Sequence, residues 1–203
     1  TMRLLFPNHC YGFESGGDPA SIPELTFEKY KDFHARFYHP SNARIFLDGR
    51  IDADATLAKL DSYLAPYDRA PVASDIPWQK PVSGKKTVPY EIGPDEDPAN
   101  KFILMDGWAF GRFDDRERML AAGVIGDLLA GSNASPLKKA LLDAGLCEDV
   151  DVDDFAYQQG IAFITIRNVA EANVQKARAL MRETLAKVAK EGFDRAQIEA
   201  TLN

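Results

Sequence analysis

The chain has 203 residues, 45% hydrophobic and 27% charged, a length that buries roughly 70% of the unfolded surface without disulfides or metals. Its formal net charge of −7 argues against a nucleic-acid partner, because such a partner requires basic side chains to replace the counterions on phosphate. The apolar runs fall far short of the ~20 residues that a membrane span requires, which argues against a membrane partner.

The first part of the chain predicts two helices and one strand. Thr26 is the predicted N-cap of a helix whose apolar residues follow the i, i+3, i+4 spacing, and Pro40 ends this helix. The segment ARIFLDG at residues 43–49 predicts a strand. Asp52 or Asp54 is the predicted cap of the second helix.

Residues 66–81 separate this part from the rest. Four prolines fall within this segment, which predicts an extended linker rather than a helix or a strand. We therefore place a first domain at residues 1–68, a linker at 69–82 and a second domain at 83–203. The chain starts and stops inside structured patterns, so we expect it to be a piece of a longer protein.

The second domain predicts four strands and three helices. The strands are predicted at residues 85–92, 101–110, 148–157 and 161–168. The helices are predicted from an Asp114 N-cap to Gly131, from Ser135-Pro136 to Gly145, and over 172–191 with Gly192 as the cap. The order β-β-α-α-β-β-α, with hairpin-length links between strands, predicts an α+β fold in which antiparallel sheets carry helices packed on one face.

The three histidines do not predict a metal site. His34 and His39 are five residues apart, which turns a helix by about 140°, so they do not share a face as an i, i+4 zinc pair would. His9 and Cys10 are adjacent and no second pair of ligands follows elsewhere, whereas a tetrahedral zinc site needs at least three protein ligands. We therefore predict no metal ligand in the chain and a structural role for His34.

Other motifs are weak as indicators of chemistry. The GGDP segment at residues 16–19 lacks the lysine of a phosphate loop, so its glycines are interpreted as conformational. The GSNAS segment at 131–135 precedes a helix N-terminus that could hold an anion, but a plain interhelical turn is favoured. G-x-S-x-G is absent, and we predict no catalytic residue. The acidic clusters at 95–97 and 151–154 are typical of solvated loops or strand ends, although an acidic surface could favour basic peptides.

The cysteines indicate a reducing compartment. Cys10 and Cys147 are too few for a disulfide framework and form no C-x-x-C pair, so we interpret them as free thiols. No charged-then-apolar leader opens the chain. We expect a cytoplasmic location, or an organellar matrix if the source is eukaryotic.

Several short motifs carry a family resemblance. Residues 15–19 (SGGDP), 38–42 (YHPSN) and 135–146 (SPLKKALLDAGL), in this order, resemble the presequence protease branch of the pitrilysin/insulinase family of zinc metallopeptidases. The matching structural positions are Gly16, Gly17, Pro19, His34, His39, Pro40 and Asn42.

The resemblance implies a zinc metalloendopeptidase that degrades unfolded peptides and is built from repeated α+β domains. Its zinc would polarise the carbonyl and activate water while a glutamate takes the proton, using an H-x-x-E-H motif. Neither His34 nor His39 begins such a motif, so we expect zinc in the full-length parent and none in this chain, which alone would be inactive. Residues 1–68 would then be the C-terminal part of the zinc-bearing domain, and 83–203 a second, non-catalytic domain truncated at its C-terminus.

Two functional hypotheses follow. The first is a fragment of a peptide-degrading enzyme, with unstructured peptides as partners. The alternative is a non-catalytic scaffold or peptide-binding subunit of the same fold. Under both, an extended peptide could add a strand to a sheet edge. Self-association of the fragment through exposed sheet edges is left open.

Overall fold

The computed structural model of the chain describes residues 1–80 and 82–202. These residues form helices α1 (Met2–Leu5), α2 (Phe27–Phe37), α3 (Ala53–Leu64), α4 (Arg116–Ala130), α5 (Pro136–Asp143), α6 (Val174–Glu191) and α7 (Arg195–Leu202), and strands β1 (Phe102–Arg112), β2 (Asp149–Ala156) and β3 (Gln159–Val169). They divide into two compact units. The small unit is Phe13–Pro77, and the sheet unit is Thr1–Gly12 together with the described residues from Trp78 onward.

The small unit contains both helices that the sequence predicts there. Thr26 caps α2, because its side chain accepts a hydrogen bond of 3.2 Å from the Lys29 amide. Asp52, rather than Asp54, caps α3 through a 3.0 Å bond from the Ala55 amide. The two caps confirm where these helices begin.

The strand predicted at residues 43–49 is wrong for this structure. The segment forms no ladder with another strand, and its Phe46 side chain is 88% exposed. A β-strand is stabilised by cross-strand pairs and hydrogen bonds from a neighbour, and within the described residues none lies beside this segment. The apolar pattern alone therefore does not produce a strand here.

The sheet unit confirms the predicted α+β class. Its three strands form one antiparallel sheet in the order β1-β3-β2, and the β2–β3 pair is a hairpin as expected. The strand predicted at 85–92 is wrong, because those residues join no ladder. Asp115, not Asp114, caps α4, since the Asp114 carboxylate is bound by Arg112 at 3.0 Å.

Helices α4, α5 and α6 lie against one face of this sheet. The core between them contains Leu104, Leu137, Leu141, Val150, Ile164, Ile166, Ala177 and Met181, all buried. Helix α4 approaches β2 closely at Gly126, where an added Cβ would lie 3.3 Å from the Val152 side chain. Helix α6 ends at Gly192, whose φ of 79° is a left-handed conformation that glycine adopts without strain.

The cap segment, Thr1–Gly12, covers part of the opposite face of the sheet. Phe6 is fully buried and forms one apolar cluster with Leu5, Ile161 and Phe163. These contacts join the start of the chain to β3, which the sequence places about 150 residues away. The structural unit thus includes residues that we grouped with the first domain, and the domain assignment itself stays a prediction.

No helix in the described ranges combines the length and the apolar character needed to cross a membrane.

Candidate functional site

Strand β2 lies at an edge of the sheet. It pairs with β3 on one side, and no other described strand pairs with its outer side. Alternate main-chain N–H and C=O groups of an edge strand point away from the sheet and can bond another extended chain. In β2 the Val150 amide already donates to Asp149 Oδ1 at 2.9 Å, so the later part of the strand is the better candidate. The outer side of β2 is therefore a candidate binding edge, and the name "β2 edge" is used below for Asp149–Ala156 and the adjoining Tyr157.

Four aspartates give the β2 edge a graded charge. Lys138 pairs with Asp149 at 2.7 Å, and Arg167 pairs with Asp151 at 2.9 Å. Asp153 and Asp154 are exposed, and within residues 1–80 and 82–202 no basic side chain lies within 4.0 Å of either carboxylate. The negative charge is therefore neutralised at the start of β2 and left open at its end.

Two aromatic rings stand beside the open charges. Phe155 and Tyr157 are stacked, with centroids 6.0 Å apart and planes at 11°, and each side chain is 44% exposed. The Tyr157 ring also contacts the Tyr11 ring of the cap segment, and the two ring centroids are 5.0 Å apart. The end of the β2 edge thus combines free main-chain groups, negative charge and exposed aromatic surface.

The ion pair between Lys138 and Asp149 changes the pKa of the Asp149 carboxyl. The hydrogen bond from the Lys138 ammonium lowers the pKa of Asp149 below its ordinary value, and this outweighs the opposing effect of burial. A lowered folded-state pKa means that the pair stabilises the protein above about pH 4 and that this stabilisation is lost as pH falls through the lowered value.

Lys138→Ala is expected to raise the pKa of Asp149 towards its ordinary value, because the bond that favours the charged form is removed. An NMR titration of the Asp149 carboxyl checks the shift. Lys139→Ala is the matched control, since Lys139 pairs instead with Asp143. Equal titration curves for Asp149 in both variants and the unaltered chain would contradict the expectation.

All of the predicted structural positions belong to the small unit. Gly17 has a φ of 88°, which suits glycine, whereas Gly16 has an ordinary φ. His34 stacks on Tyr38 with centroids 4.6 Å apart and planes at 9°.

The His39-Pro40-Ser41-Asn42 turn closes α2. His39 accepts a 3.2 Å bond at Nδ1 from the Ser41 amide, and Pro40 begins the short turn that follows. Asn42 donates from Nδ2 to the Phe37 carbonyl at 2.9 Å. These bonds are local to the turn, and structural roles for His39, Pro40 and Asn42 stay a prediction.

The GSNAS segment is an interhelical turn. Ser135 Oγ accepts from the Ser132 amide at 3.1 Å and donates to the Asp127 carbonyl at 3.4 Å. The turn's own groups thereby occupy the serine hydroxyl, which supports the favoured interpretation over an anion site.

No cluster of three or more His, Cys, Asp or Glu side chains in the described part of the chain is arranged to hold a metal ion. The described residues therefore do not fit a zinc ion, and no step of a zinc-dependent reaction is assigned to them.

Sequence reasoning identified the acidic segment but not the β2 edge. The sequence favours solvated charge for the 151–154 cluster, with binding of basic peptides as the alternative, and it does not single out Phe155 and Tyr157. The sequence does contain one signal, which is a contrast between the two strands. Strand β3 carries the apolar run Ile161-Ala162-Phe163-Ile164, as a central strand does, whereas β2 carries aspartate at half of its positions.

Three comparisons place the chain among known proteins. A family model described as "Peptidase M16 inactive domain" matches residues 24–203. The chain is 40% identical over 210 aligned positions to presequence protease 1, chloroplastic/mitochondrial, of Arabidopsis thaliana, and 32% identical over 215 positions to the mitochondrial presequence protease of Mus musculus. These alignments cover 100% of this chain but only 19% and 20% of the relatives, so the chain spans about a fifth of their length.

A solved structure agrees in fold. The crystal structure of a peptidase M16 inactive domain from Pseudomonas fluorescens superposes with a TM-score of 0.75 at 24% identity, covering 98% of this chain and 47% of that one.

Proposed function

The chain belongs to the peptidase M16 inactive domain family, and we propose that it supplies a non-catalytic, peptide-binding surface to a zinc-dependent metalloendopeptidase that degrades unfolded peptides. The observation that carries the proposal is the β2 edge, where unpaired main chain, open negative charge and aromatic rings coincide. The similarity to two presequence proteases supports a peptidase as the longer protein.

Strand addition explains how such a surface can accept many sequences. Main-chain hydrogen bonds are indifferent to the peptide's side chains, so an unfolded chain of any sequence can pair with an edge. Asp153 and Asp154 add a preference for lysine and arginine, and Phe155 and Tyr157 add contact area for apolar side chains. We therefore propose basic peptides with interspersed apolar residues as the preferred class.

The catalytic zinc belongs, on this proposal, to residues of the longer protein. When bound there it would supply Lewis-acid activation of the scissile carbonyl and of water. The described residues of this chain hold and orient peptide, and the chain alone has no peptidase activity. For its location we propose the cytoplasm, or an organellar matrix if the source is eukaryotic, in keeping with the organellar names of the plant and mouse relatives.

The binding proposal is tested with a fluorescein-labelled 15-residue peptide of arginine, leucine and serine. We expect the double variant Asp153→Asn/Asp154→Asn to weaken binding about fivefold, because exposed charge pairs are each worth ~0.2–1 kcal/mol. Asp61→Asn/Asp68→Asn is the matched control, since it removes the same charge from exposed positions of the small unit. An equal loss of peptide affinity in both double variants would mean that only the net charge of the protein matters. This result would contradict a binding site at β2.

Strand addition has its own test with the same labelled peptide. Two versions are made, one methylated at every second backbone nitrogen and the other at every backbone nitrogen. Since only alternate N–H groups face a partner strand, we expect the fully methylated version to lose binding and the half-methylated version to retain it. If the fully methylated version binds as well as the parent peptide, the peptide does not pair as a strand.

The longer protein separates the enzyme from the scaffold hypothesis. Cleavage of an unstructured peptide that is abolished by a chelator and restored by zinc supports the peptidase. No cleavage by a folded full-length chain favours the non-catalytic alternative.

A further inference from the structure

The buried Gln159 side chain bonds to the main chain of the linker. Gln159 is the first residue of β3 and only 1% exposed. Its Oε1 accepts from the Gln79 amide at 2.8 Å, and its Nε2 donates to the Gln79 carbonyl at 2.9 Å. The amide side chain thus bonds to both main-chain groups of one residue, as a neighbouring strand would.

A second anchor holds the adjacent residue. The Tyr11 hydroxyl accepts a 2.8 Å hydrogen bond from the Gln158 amide in the turn between β2 and β3. The Tyr11 ring also contacts Tyr157, the last aromatic residue of the β2 edge. Two segments that are distant in sequence from the β2–β3 hairpin therefore form hydrogen bonds with two successive residues at its tip, Gln158 and Gln159.

We propose that Gln159 and Tyr11 are positioning residues that keep the end of the β2 edge ordered before a peptide arrives. The proposal rests on the proposed function of this edge. Strand β2 has a neighbour on one side only among the described residues, and its acidic and aromatic residues sit next to the hairpin tip. Without anchors the tip would spend part of its time unpaired, and each binding event would carry the cost of ordering it.

The proposal predicts how the ordered fraction of the hairpin tip determines the affinity for peptide. When only an ordered fraction of the protein can bind, the apparent Kd rises by the inverse of that fraction. A residue that merely adds global stability leaves the Kd unchanged as long as the protein is folded. The ratio of Kd values therefore distinguishes positioning from general stabilisation.

The experiment compares Gln159→Leu and Tyr11→Phe with two controls, Gln79→Ala and Gln158→Ala. The controls keep the anchors, because Gln79 and Gln158 take part in them through main-chain atoms only. The measurements are the Kd for the labelled arginine-leucine-serine peptide and hydrogen exchange of the amides in residues 149–156. Each is made in the full chain, under conditions where tryptophan fluorescence shows the variant to be folded.

We expect Tyr11→Phe to raise the Kd about fivefold, the effect of one lost hydrogen bond, and Gln159→Leu to raise it more, because that variant loses two. Exchange in β2 is expected to speed by a matching factor in each variant. The controls are expected to behave as the unaltered chain. Unchanged Kd in both anchor variants overturns the inference, as does a fall in the urea midpoint without any change in Kd. If the unaltered chain itself fails to bind the peptide, the proposed function fails instead, and this inference falls with it. Tyr11→Phe keeps the ring, so it serves if Gln159→Leu does not fold.

Discussion

Replacing Leu141 by alanine is expected to lower the free energy of unfolding of the sheet unit by about 2–5 kcal/mol. Leu141 lies on α5 and is fully buried, in the same cluster as Leu137, Val150 and Ile166. Truncation removes apolar atoms and leaves a cavity that rigid neighbours on the sheet and on α6 fill only in part. Since domains are stable by only about 5–15 kcal/mol, this single change removes a large share of the total.

The protein carries its own probe for this measurement. Its two tryptophans, Trp78 and Trp108, both belong to the sheet unit, so tryptophan fluorescence during urea unfolding reports on that unit. Leu120→Ala is the matched control, because Leu120 lies on α4 with 72% of its side chain exposed. We expect the control to change stability by no more than about 0.5 kcal/mol. Similar losses in both variants would mean that the buried cluster does not stabilise the unit as described.

The helices could be predicted well because their signals are local. Thr26 as a cap, the Ser135-Pro136 start and the Gly192 end each act within one turn of the chain, and the structure confirms all three positions. Whether a predicted strand forms depends on whether it has a partner strand beside it. Strand β1 and the β2–β3 hairpin form because each finds a neighbour, whereas residues 43–49 and 85–92 have strand-like sequences and no described partner.

The candidate site depends on contacts that local patterns cannot reveal. The 151–154 segment is acidic in any arrangement, but it becomes a candidate binding edge only because the sheet order is β1-β3-β2. The hydrogen bond between Tyr11 and Gln158 joins residues 147 positions apart, and the hydrogen bonds between Gln159 and Gln79 join residues 80 positions apart. Neither contact can be predicted from the sequence alone, because neither follows from periodicity, capping or turn chemistry.

Gly12→Ala is expected to displace the cap segment from the sheet. A Cβ added at Gly12 would clash with the Phe6 carbonyl oxygen and would lie 3.4 Å from its carbonyl carbon. Both are backbone atoms, so no side-chain rotation relieves the clash. Phe6 in turn is fully buried beside Ile161, which leaves it little room to retreat. Forcing extra atoms into such a contact costs about 1–3 kcal/mol, and occasionally more.

The displacement has consequences beyond stability, because Tyr11 directly precedes Gly12 and bonds to the β2–β3 turn. We expect faster hydrogen exchange in residues 1–12, a lower urea midpoint for the tryptophan signal, and exchange in residues 149–156 that rises as in Tyr11→Phe. Gly16→Ala is the matched control, since its Cβ would meet nothing nearer than a Glu14 side-chain oxygen at 4.0 Å and its φ is ordinary. If Gly12→Ala leaves exchange in both segments unchanged, the cap segment does not hold the hairpin, and the β2 edge is stabilised by β3 and by helices α4 and α5.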